Sequence, residues 1–69
     1  MYTKEEIKEY LEDMLKTSIF GCSAIINNIV IYFDEYRFAE TYNKETILYL
    51  LKNNTLIAEM NIENITSII

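Results

Sequence analysis

Ser23-Ala24-Ile25-Ile26-Asn27-Asn28-Ile29-Val30-Ile31-Tyr32-Phe33 is the stretch that decides the fold. Two runs rich in β-branched and aromatic residues flank an Asn-Asn pair. Such residues fit a pleated sheet, and Asn tolerates the positive φ that a tight hairpin turn demands. The stretch therefore reads as strand, turn, strand over about 23–33.

Working outward, residues 35–42 alternate, with Tyr36, Phe38 and Tyr42 on one side and Glu35, Arg37 and Thr41 on the other. Asp34-Glu35 reads either as a bend between two strands or as a bulge within one long strand. A second hairpin turns on Asn53-Asn54, between strands at about 45–52 and 55–62. In the latter, Leu56, Ala58, Met60 and Ile62 share one face. A helix over 44–53, capped by Asn43, is the competing reading of the first arm. After Glu63-Asn64, residues 65–69 form a candidate last strand.

Toward the N-terminus the period changes. Ile7, Tyr10, Leu11, Met14 and Leu15 recur at helical spacing, and Thr3 with Glu6 makes a capping box. Lys4, Glu5, Lys8, Glu9, Glu12, Asp13 and Lys16 occupy the opposite, solvated face. A helix over about 3–17 follows, with Gly21 marking the break after it. The whole is one α+β domain, an N-terminal helix followed by four to five antiparallel strands.

Residues 29–33 and 47–51 are apolar on both faces: Ile29, Ile31 and Phe33 against Val30 and Tyr32, and Ile47, Tyr49 and Leu51 against Leu48 and Leu50. One helix covers one face only. The sheet is expected either to curl into a small barrel or to be covered by a second subunit, as a homo-dimer or higher. At 69 residues a single core is marginal, and the usual staples are missing. Cys22 is the only cysteine and there is no His, so neither a disulfide nor a zinc cluster is available.

The same inventory argues against an enzyme. General acid–base and nucleophilic chemistry lack a His, and one glycine cannot make a phosphate-cradling loop. Cys22 has no basic sequence neighbour to activate it and reads as a core thiol. No cofactor is expected. With eleven acidic and six basic residues the net charge is −5, which repels phosphate backbones and suits a basic partner surface. The start of the chain reads as a helix rather than a secretory leader, and the free thiol suits a reducing cytoplasm. Isoleucine and asparagine supply 19 of the 69 residues, a bias common in AT-rich phages and mobile elements.

A helix followed by short strands resembles the order of Sm-like RNA-binding barrels. Leu50-Leu51-Lys52-Asn53 and Ile65-Thr66-Ser67-Ile68-Ile69 are similar to the closing strands of that family's bacterial members. The resemblance implies an oligomeric RNA-binding protein. Against it, Asn-Asn stands at 27–28 where those members have Asn-Gly. Their Tyr-Lys-His run is replaced by Met60-Asn61-Ile62 or Ile62-Glu63-Asn64, and their basic RNA-contacting residues have no counterparts.

The leading expectation is a non-enzymatic protein-binding module, a small acidic inhibitor or regulator that blocks a basic surface of a target such as a nucleic-acid-binding enzyme. Asp34, Glu35, Tyr36, Arg37, Glu40 and Tyr42, with the acidic helix face, are the candidate partner-binding residues. An Sm-like RNA-binding oligomer and a structural homo-oligomer subunit are the alternatives.

Overall fold

The computed structural model describes residues 1–18 and 21–69. Helix α1 (Lys4–Lys16) opens on the expected capping box. The Thr3 hydroxyl accepts from the Glu6 N–H at 3.1 Å, and the Glu6 carboxylate accepts from the Thr3 N–H at 3.0 Å. These bonds hold the Glu6 carboxyl below its usual range, since Thr3 stabilises the charged form. The helix buries Ile7 and Leu11 completely, with Tyr10, Met14 and Leu15 packed at the margin.

Five antiparallel strands follow: β1 (Cys22–Ile26), β2 (Ile29–Phe33), β3 (Glu35–Glu40), β4 (Thr46–Lys52) and β5 (Thr55–Asn61). They form two sheets, β1-β2 and β3-β4-β5. The barrel alternative is thereby corrected: among the described residues the strands do not close. Asp34 is the point where the chain leaves one sheet for the other, the bend rather than the bulge of the two readings. Residues 46–52 are strand, which removes the competing helix.

Both Asn-Asn turns have the expected backbone. Asn27 and Asn28 sit at φ 52° and 67°, and Asn53 and Asn54 at 53° and 64°, the primed-turn geometry that matches strand twist. Gly21 takes φ 100°, and a Cβ there would fall 2.8 Å from the Phe33 carbonyl, so the lone glycine is needed for conformation and for space.

Three boundaries differ from the sequence reading. The strand expected over 35–42 stops at Glu40, because Thr41 closes a turn to Glu45. Its N–H donates to the Glu45 carbonyl at 2.8 Å and its hydroxyl accepts from the Glu45 N–H at 3.1 Å. Strand β5 ends at Asn61, whose side chain caps a 3-10 turn over Ile62–Asn64. The strand expected over 65–69 reduces to a single bridge, Ile26 to Ile68, flanked by the Ile69 N–H donating to the Ile25 carbonyl at 3.0 Å.

One core joins these parts. Ile7 and Leu11 from the helix meet Ala24, Ile26 and Phe33 from the first sheet and Leu48 and Leu50 from the second. Ile62 and Ile65 close its end. Cys22 is half-buried at the edge of this core rather than within it. Burial pushes its thiol up, only partly offset by the positive charge of Lys52, so it is not an activated nucleophile.

Candidate functional site: the outer face of the three-stranded sheet

Register assigns the two faces of the second sheet. Leu48 and Leu50 are fully buried, and their β3 partners Phe38 and Tyr36 pack against the same core. Alternation therefore turns Ile47, Tyr49 and Leu51 outward. Cross-strand pairing sets these in three rows: Glu35–Leu51–Leu56, Arg37–Tyr49–Glu59 and Ala39–Ile47–Asn61. The register shift between Leu50 and Leu51 brings Leu56 into the first row. The expected common face of Leu56, Ala58 and Met60 is thus corrected: Ala58 and Met60 pack on the core, while Leu56 faces out and is exposed.

The result is an apolar stripe, Ile47, Tyr49, Leu51 and Leu56, on a sheet face that no helix covers among the described residues. Arg37, Ala39, Tyr49, Leu51 and Leu56 line a shallow depression of about 350 Å³. Arg37 stands beside Tyr49 in the middle row, held by an ion pair of 2.9 Å from its Nε to the Glu35 carboxylate. Both partners are solvent-accessible, so the pair orients the guanidinium more than it stabilises the fold. Glu35 and Glu59 lie on the face itself, and Glu40 is exposed at the end of β3.

The six sequence-derived candidates do not form one surface. Glu35 and Arg37 lie on this face, whereas Glu40, exposed at the end of β3, falls by alternation on the side of Tyr36 and Phe38. Asp34 and Tyr36 are committed to the fold. The Asp34 carboxylate accepts from the Asn53 N–H at 3.0 Å, and its own N–H donates to the Leu51 carbonyl at 2.8 Å, which pins the β4–β5 turn. Tyr36 turns inward and donates its hydroxyl to Glu12 on the helix at 2.5 Å. Tyr42 was expected to share a face with Tyr36 and Phe38. Instead it sits in the 41–45 turn, fully exposed, because the strand ends two residues before it. Of the acidic helix face, Glu5, Glu9 and Asp13 are exposed, with Glu6, Glu9 and Asp13 around a separate shallow hollow, whereas Glu12 is half-buried under the Tyr36 hydroxyl and is not on the solvated face expected for it.

Tyr49, Leu51 and Leu56 were not among the candidates. The signal for Tyr49 and Leu51 was present in the two-faced apolar pattern of 47–51, which demands a cover on both sides, whereas Leu56 is turned outward by the register shift. Among the described residues no group of His, Cys, Asp or Glu is arranged to hold a metal ion. Among the described residues no helix is long and apolar enough to cross a membrane. Comparison with known proteins finds no family model, no curated protein and no solved structure that matches this chain.

Proposed function

We propose that this chain is a non-enzymatic protein-binding module. It acts as a small acidic inhibitor or regulator, of the kind phages and mobile elements encode, within a reducing cytoplasm. The outer face of β3-β4-β5 docks on a basic surface of its target, such as the groove of a nucleic-acid-binding enzyme. The observation that carries this reading is the uncovered stripe of Ile47, Tyr49, Leu51 and Leu56 with Arg37 flanking it beside Tyr49 and carboxylates around it. Protein interfaces have this anatomy, an apolar centre rich in Tyr and Arg inside a polar rim. A net charge of −5 selects a basic counterpart and speeds its capture.

The test is retention of proteins from a lysate of the source organism on the immobilised chain, with variants as controls. Tyr49→Ala removes a central anchor and is expected to weaken a specific partner by roughly 30-fold, the effect of about 2 kcal/mol. Reversing Glu35 and Glu40 to Lys slows association and flattens its salt dependence. Retention that is indifferent to both changes would sink the proposal.

A second reading, an Sm-like RNA-binding oligomer, draws on one observation. The C-terminal segment returns to β1, and β2 runs into β3 through Asp34 alone, so the two sheets follow one another around a sharp bend. Filter binding with single-stranded RNA at low salt separates the two readings, since retention of RNA favours the second.

A further inference from the structure

The free edge of β5 is a separate surface from the sheet face described above. Among the described residues β5 pairs only with β4, and β2 pairs only with β1. Each strand therefore presents an unpaired edge of backbone N–H and C=O groups. Between the two strands runs a groove of about 470 Å³ lined by Ile29, Val30, Ile31, Ile57 and Met60, with Glu59 as its one charged residue. Val30 is 51% exposed and Ile57 49%, large values for β-branched apolar side chains on facing walls of one groove.

Protein edges of this kind are normally blunted by Lys, by Pro or by a covering element. Neither β2 nor β5 contains a Lys, and the chain has no Pro. An apolar-lined edge that carries a single charge, Glu59, and is left open is a template for another strand. We propose that the occupant is a second copy of this chain, which lays a strand along β5 and fills the groove between β2 and β5.

Charge selects that occupant over a basic protein. The chain has eleven acidic residues, yet Glu59 is the only one lining this groove. A basic partner would find almost nothing there to pair with, whereas two copies meet with little repulsion at the contact. Size points the same way. A domain of 69 residues without disulfide or metal gains most from burying apolar area against itself, and two-fold association is the commonest means. This inference does not depend on the outer-face reading, because its edge and groove residues, Glu59 apart, are different.

Light scattering on the full chain over a wide concentration range tests it. The expected mass is at least twice the 8.2 kDa of one chain. Ile57→Lys places a charge on the open edge, and Val30→Lys places one on the opposite wall. Each is expected to reduce the mass to that of one chain while the circular dichroism spectrum is unchanged. Tyr49→Ala, on the outer face, is expected to leave the mass of the assembly unchanged. Three results would overturn the inference: a wild-type chain of single-chain mass throughout, folded Lys variants that keep the wild-type mass, or dissociation caused by Tyr49→Ala.

Discussion

Tyr36 shows how one side chain can tie the helix to the sheet. Its ring lies edge-on to Phe38, with centroids 5.7 Å apart, and its hydroxyl donates to Glu12 at 2.5 Å. Burial, the hydrogen bond to Glu12 and the charge of that carboxylate together push the phenol up to about 12. Folding thus favours the protonated phenol. The stability this provides is complete below the ordinary phenol value near 10 and is lost as pH rises through about 12. Chemical denaturation of the wild type should therefore show stability falling across that window. Tyr36→Phe should be less stable at neutral pH but should fall less steeply there. Equal slopes for the two proteins between pH 10 and 12 would show that the phenol does not couple to folding.

At the scale of elements, Asn27 acts beyond its turn. Its side-chain oxygen accepts from the Thr66 N–H at 2.8 Å, the Thr66 hydroxyl at 3.1 Å and the Ser67 N–H at 3.2 Å. Its amide donates to the Asn64 carbonyl at 2.9 Å, and its own N–H donates to the Ser67 carbonyl at 3.0 Å. One side chain thereby fastens the C-terminal segment against β1. Asn27→Gly keeps the positive φ and removes only the clamp, so it isolates this role. The expected loss is about 1–2 kcal/mol, with faster amide exchange at Thr66, Ser67 and Ile69 and little change in α1. Unaltered exchange at those three amides would mean that the segment is held otherwise.

The helix, both Asn-Asn turns and the strands they join were legible because each is set by local period and turn chemistry. What was not legible depended on distant partners. Whether Asp34 bends or bulges is decided by its bonds to Leu51 and Asn53, far along the chain. The face of Leu56 is decided by a register shift against Leu50 and Leu51, which alternation alone cannot reveal. The C-terminal segment pairs through the Asn27 clamp rather than through a strand pattern of its own. For the candidate face, the charge of Glu35 and Arg37 pointed outward from the sequence, whereas Glu40 falls on the other side of β3. Tyr49, Leu51 and Leu56 were passed over because apolar residues read as core until the register shows which face is uncovered.

For the whole molecule, the decisive quantity is how little core holds two sheets together. Nine hydrophobic residues are buried among those described, and Phe33 is the bulkiest of the fully buried ones. It stands at the end of β2, immediately before the bend at Asp34, where the first sheet gives way to the second. Removing its ring leaves a cavity shared by both sheets and the helix, at a cost of about 3–5 kcal/mol. A single core in a chain this short rarely supplies more than about 3–5 kcal/mol in all. Phe33→Ala is therefore expected to abolish cooperative thermal unfolding, whereas Leu56→Ala, at an exposed position, should shift stability by only about 0.5 kcal/mol. Should Phe33→Ala melt cooperatively within a few degrees of the wild type, the domain must draw its stability from outside this core. The uncovered sheet face or the open edge of β5, buried against another chain, would then be its source.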